Sequence, residues 1–147
     1  MVTKQSSGST PKTLPGNFYF DPDQYDREKQ NIFYRSWQYV GHVSMLAEPS
    51  TYLVREIDDE SILVTRSHDG ELRAFYNVCQ HRAHRLLEGE GQLRSGIICP
   101  YHNWTYDHSG ALLVARGTKD ITEFDPSLMR KSYVVSSLKA GPGTLLK

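Results

Sequence analysis

Four side chains in the second half of this chain could do redox or metal chemistry. Cys79 and His81 form a CxH pair, Cys99 and His102 form a CxxH pair, and seventeen residues separate the two. Thiolates are soft donors that favour iron–sulfur centres. Replacing two of four thiolates by neutral imidazoles removes negative charge and raises the reduction potential, so this donor set describes a mid-potential one-electron carrier. If residues 79 and 81 share one face of an extended segment, roughly 6 to 7 Å apart along the chain, they suit two irons better than one ion. The alternative is a single zinc of the ribbon type. Zinc, however, usually draws its ligands from CxxC or HxxxH spacings that close tightly on one ion.

Each pair needs a rigid tip to carry it, and the flanking pattern supplies strands. Alternating apolar residues predict strands over 37–43, 51–56, 61–67 and 71–77. His68-Asp69-Gly70 is the turn between the last two, with Ile62, Val64, Leu72, Ala74 and Tyr76 on the arms, and this hairpin delivers Cys79 at a strand end. Gly89 to Gly91 punctuate a connection. Ile97-Ile98 lead as a strand into Cys99, and Trp104 to Tyr106 leave on the other arm. A His-Ser-Gly turn at 108–110 precedes a strand at 111–114, and a last strand is expected at 133–135. Before all of these, Asp21 as N-cap and Pro22 at the first helical position open a helix over about 22 to 36. The fold class is therefore mainly β: an antiparallel β-sandwich with ligand-bearing hairpin tips and one N-terminal flanking helix.

Composition narrows the function. The chain has 147 residues, 38% hydrophobic and 23% charged, with zero formal net charge, which fits one globular core. No basic patch argues for nucleic acid, and no apolar run argues for a membrane. The only two cysteines both belong to the donor pairs, which leaves no disulfide and fits a reducing, cytoplasmic setting. Residues 1–13, rich in Ser, Thr and Gly, are expected as a disordered tail.

Other polar residues have ordinary readings. His84 is expected to hydrogen-bond within its loop, His42 to be a satisfied residue on a strand, and His68 and His108 to be exposed in turns. Asp21, Asp23, Asp26 and Glu28 suit a helix N-terminus without any metal. Tyr101, Trp104 and Tyr106 can serve as core and as a shield that keeps water from the second pair. None of the four remaining histidines has a second His and an acid at helical spacing for a mononuclear site.

The runs Tyr76-Asn77-Val78-Cys79-Gln80-His81-Arg82 and Cys99-Pro100-Tyr101-His102-Asn103-Trp104-Thr105-Tyr106-Asp107 resemble the Rieske [2Fe–2S] domain of non-haem iron oxygenase α subunits. The resemblance spans roughly residues 14–135. It implies that Cys79 and Cys99 hold one iron and His81 and His102 the other. It also implies a reductase or ferredoxin as electron donor, a trimeric homo-oligomer, and a mononuclear Fe(II) domain carried only by full-length relatives. In that family the second-loop His faces an acidic residue of the next subunit, which makes His102 the candidate for the exit side. Leu14 to Val40 resembles members acting on aromatic acids or on quaternary ammonium compounds such as carnitine. The organisation expected is a tail to 13, a helical segment 14–40, the Rieske domain 41–138 and a C-terminal tail 139–147 that stops short of a catalytic domain, so that oxygenation by this chain alone is not expected. Ala83 and Asn103 stand where glycine is usual, at positions asking for a φ that Asn tolerates better than Ala. A stand-alone Rieske ferredoxin is the alternative, but such proteins begin near Trp37 and would leave residues before it unexplained. Respiratory-complex Rieske proteins carry an extra cysteine pair and a membrane helix, neither of which is expected here.

Overall fold

In the computed structural model, residues 12–126 are described in full, together with the backbone of 138–139 and 144–146. The chain divides into two compact units, Met1–Arg35 and Ser36–Lys147. The expected strand at 133–135 lies outside the described residues.

In the first unit, helix α1 runs Pro22–Asn31. Asp21 caps it as the sequence implies: its side chain accepts the Asp23 N–H at 3.0 Å, and proline follows at the first helical position. The helix is one turn shorter than the pattern suggests, because Ile32 swings to φ −117° and Phe33–Arg35 continue as a 3-10 turn. A run of Ile32, Phe33 and Tyr34, β-branched and aromatic, is a weak helix former and lets the tighter turn win.

The second unit is antiparallel β in three sheets. The strands are β1 (Gln38–Gly41), β2 (Thr51–Ile57), β3 (Glu60–Arg66), β4 (Leu72–Tyr76), β5 (Glu90–Gln92), β6 (Ile97–Ile98), β7 (Thr105–Tyr106), β8 (Leu112–Val114), β9 (Leu138–Lys139) and β10 (Thr144–Leu146). The sheet orders are β4-β3-β2-β5, β6-β7-β8 and β1-β10-β9. Lys139 and Thr144–Leu146, placed by sequence in a tail, thus pair as strands, with Gln38 opposite Leu146. β5 falls where only a glycine-punctuated connection was expected. Glu90-Gly91-Gln92 has no apolar alternation, and it is a strand because it pairs with Thr51–Leu53 at the sheet edge.

β3 is the central strand, and it is buried on both faces: Ile62, Leu63, Val64 and Thr65 are each 3% exposed or less. Its even residues, Ile62 and Val64, pack with Val40, Leu46, Leu53 and Ala74, whereas Leu63 packs with the cysteines, Ile97, Trp104 and Tyr106. Period-2 alternation thus sends one face to each of two cores. Each fully buried aliphatic side chain contributes about 1.5–3 kcal/mol. The core containing Leu63 is the floor beneath the four candidate ligands.

Candidate metal centre

The hairpin β3–β4 and the arms β6 and β7 bring the two donor pairs to neighbouring tips. The tips share one backbone design. Cys79 N–H donates to His84 O at 2.8 Å and Cys79 O accepts Ala83 N–H at 2.9 Å; Cys99 N–H donates to Trp104 O at 2.8 Å and Cys99 O accepts Asn103 N–H at 3.0 Å. Each loop therefore closes four residues after its cysteine, on a residue in the left-handed region: Ala83 at φ 52° and Asn103 at φ 57°. That is the backbone demand inferred at these two positions. The loops are turns, so Cys79 and His81 do not lie on one face of an extended strand as expected. Reversal within the loop turns both donors toward the second tip.

Asn77 clamps the base of the first loop. Its buried amide donates to Ser61 Oγ at 3.1 Å and Leu87 O at 2.7 Å, while Oδ1 accepts the N–H groups of Leu86 and Leu87 at 3.2 and 3.0 Å. Beneath the second tip, Gly96 sits at φ +118° with room for no side chain, since a Cβ would lie 2.5 Å from Tyr106 O.

The donors meet in pairs. Cys79 and Cys99 are each 1% exposed, free of disulfide and packed into the same buried core, where Cys99 is one of the groups that raise the Cys79 thiol. Burial pushes the Cys79 thiol up, partly offset by the Tyr106 hydroxyl. His81 and His102 meet edge to face, ring centroids 4.7 Å apart. Burial, then the neighbouring His102 and Arg82, pulls the His81 pKa down, which favours the neutral imidazole that a metal requires. His102 Nδ1 is buried and has no hydrogen-bond partner. A buried polar nitrogen without a partner is costly unless something binds it, and a metal answers that need. Among the described residues no three Cys, His, Asp or Glu side chains converge as they would on one ion. Paired thiols beside paired imidazoles suit two metals bridged by further atoms better than one tetrahedral zinc.

Three aromatic rings complete the site, each in a different way. Tyr106 is 4% exposed; its hydroxyl accepts Gln80 N–H at 3.0 Å and lies 3.3 Å from Cys79 Sγ. Burial, then the Cys79 contact, pushes this phenol well above its ordinary range, so it stays a donor. The sequence pattern places Tyr106 as core and shield and does not reveal this hydroxyl contact. The missed signal is that a buried tyrosine must find a partner for its hydroxyl. Trp104, 2% exposed, is a shield as expected, whereas Tyr101 is 54% exposed and lies against His102 at 3.8 Å.

A model of the Rieske [2Fe–2S] domain matches residues 36–125. This chain belongs to the Rieske [2Fe–2S] domain family. Among curated relatives, the carnitine monooxygenase oxygenase subunit of Escherichia coli (strain K12) is 47% identical over 113 residues, 77% of this chain and 30% of that protein. The chloroplastic choline monooxygenase of Spinacia oleracea is 38% identical, over 78% of this chain and 26% of that protein. A solved quaternary ammonium Rieske monooxygenase, described in terms of carnitine oxidation and inter-subunit electron transfer, superposes with TM-score 0.81 at 38% identity, covering 90% of this chain and 36% of that one. Naphthalene 1,2-dioxygenase follows at TM-score 0.78 and 27% identity, covering 87% of this chain and 29% of that one. The Rieske chain thus spans about a third or less of the length of the curated relatives it matches. The family's cofactor is the [2Fe–2S] cluster, and the donor set of this Rieske domain fits it in type, pairing and the waiting Nδ1 of His102.

The remaining histidines lie outside this site. His84 bonds within its loop as expected, Nδ1 to Arg85 O at 2.6 Å. His42 is not on a strand; it is exposed and caps the 3-10 turn Val43–Leu46 by accepting Ser44 N–H. His108 is 8% exposed, stacked on His68 at 4.4 Å, which corrects the expectation of exposure. The turns 67–71 and 107–111 are built alike and press the two rings together, a tertiary contact no local pattern reveals. Among the described residues, no helix is long and apolar enough to cross a membrane.

Proposed function

We propose that Cys79 and Cys99 hold one iron and His81 and His102 the other, and that the chain is the electron-entry module of a Rieske oxygenase α subunit. The carrying observation is the pairing of thiols and imidazoles on twin loops with His102 Nδ1 buried and unpartnered. When bound, the cluster supplies a one-electron couple at a potential raised by its two neutral ligands. The residues around it do the rest. Cys79 and Cys99 sit dry over the Leu63 core, Tyr106 directs its hydroxyl at the Cys79 sulfur, and Trp104 closes the His81 face against water. His102, covered by the exposed Tyr101, is the side at which an electron leaves.

The donor is a reductase or ferredoxin. The acceptor is a mononuclear Fe(II) carried by the part of a full-length oxygenase beyond the matched length, in a homo-oligomer where electrons cross between subunits. Carnitine and choline monooxygenases among the relatives favour a quaternary ammonium substrate over an aromatic one, and the use of both cysteines in the donor set favours a cytoplasmic setting. Anaerobic titration with a one-electron reductant tests this reading: uptake of one electron per chain supports it, and uptake of none contradicts it.

A further inference from the structure

Both imidazoles of the donor set lie against an aromatic ring, and both rings come from the second loop, on either side of His102. They are held very differently. The Trp104 indole stacks on His81 with centroids 4.7 Å apart and planes 8° from parallel. Its Nε1–H donates to Arg116 O at 3.2 Å, Phe124 meets it edge-on at 5.6 Å, and its own carbonyl takes the Cys99 N–H. With 2% exposure, this indole has no freedom to turn. Tyr101, by contrast, tilts 40° over His102, is 54% exposed, and has the exposed His84 as its other ring neighbour at 5.5 Å.

We infer that Trp104 is the positioning residue of His81, fixing the imidazole plane from across the gap between the two loops, while Tyr101 covers His102 with a ring free to adjust. The inference rests on the reading of His81 and His102 as iron ligands. The rotation of an imidazole about its metal–nitrogen bond sets how its π system overlaps the metal, and residues behind the ligand decide that rotation. A ligand that cannot turn also rearranges little when an electron arrives. The two loops are thus unequal: a fixed imidazole on the first and, under the exposed Tyr101, a compliant one on the second.

The test uses the full chain loaded with its cluster, with ¹⁵N-histidine, reduced and read by pulsed EPR. Trp104→Phe keeps a flat ring but removes the anchor to Arg116 O. It is expected to shift or broaden one of two imidazole nitrogen couplings, and to speed iron loss to a chelator by about tenfold. Tyr101→Leu is expected to leave that coupling unchanged. Leu112→Ala opens a cavity in the same core without removing a ring that stacks on His81, and is expected to leave both couplings unchanged. The inference is overturned if Trp104→Phe changes neither coupling, or if Leu112→Ala changes the same one equally. A wild-type protein with no imidazole nitrogen coupling at all overturns the ligand reading itself, a result distinct from the first two.

Discussion

Removing one hydroxyl, in Tyr106→Phe, tests how the protein sets the potential of this site. The Tyr106 oxygen already accepts the Gln80 N–H at 3.0 Å, so its own proton is left to point at Cys79 Sγ, 3.3 Å away. Once that sulfur is a metal-bound thiolate it has no proton to give, and the phenol is the only donor of the pair. Reduction adds negative charge, part of it on the sulfur, and so strengthens this hydrogen bond more in the reduced state than in the oxidised one. A hydrogen bond to a charged group contributes about 1.5–3 kcal/mol, against about 0.5–1.5 for neutral partners, so the differential is about 1–2 kcal/mol. With one electron transferred, a tenfold change in the equilibrium is about 59 mV, which places the Tyr106→Phe midpoint roughly 40–90 mV below wild type. Direct voltammetry of the loaded protein reads this, with the visible spectrum confirming that the cluster is retained. A midpoint that is unchanged, or higher, with the cluster intact refutes the reasoning.

Further substitutions probe the scaffold. Burial, then the neighbouring His68, holds the His108 pKa below its ordinary value, opposed by Asp107. The unfolded chain therefore takes the proton first as pH falls, and stability present above about pH 6.5 is lost from there down to the lower folded pKa. In His108→Phe the urea midpoint should fall less between about pH 7.5 and 5.5 than in wild type; equal slopes count against the assignment. Ala83→Gly relieves a left-handed alanine costing about 1–2 kcal/mol but loosens the unfolded chain by about 0.4–1, so it should gain about 0.5–1 kcal/mol in denaturant unfolding. Asn103→Gly should gain less, since Asn tolerates that region. Asn77→Ala removes four hydrogen bonds at the base of the first loop and should cost about 3–4 kcal/mol, with faster cluster loss.

Local chemistry made much of this fold legible. Asp21-Pro22 marks a helix start because capping is a contact within three residues, and Ile62 to Arg73 marks a hairpin because alternation and the Asp-Gly turn are local too. Donor types and spacing pointed to a two-metal site for the same reason: the ligands of each pair sit within four residues of each other. What escaped notice depends on distant partners. β5 exists only through β2, the His68–His108 stack needs two turns on different sheets, and Tyr106 meets Cys79 across 27 residues. The Cys79–His81 segment was misjudged as extended because the turn is imposed by Ala83 and His84 bonding back to Cys79.

Metal and sulfide analysis of the anaerobically purified protein reads out the proposed two-iron cluster on Cys79, His81, Cys99 and His102. Two irons and two acid-labile sulfides per chain are expected, both lost in Cys79→Ser and in Cys99→Ser. A colourless protein holding one zinc per chain and no sulfide contradicts that cluster.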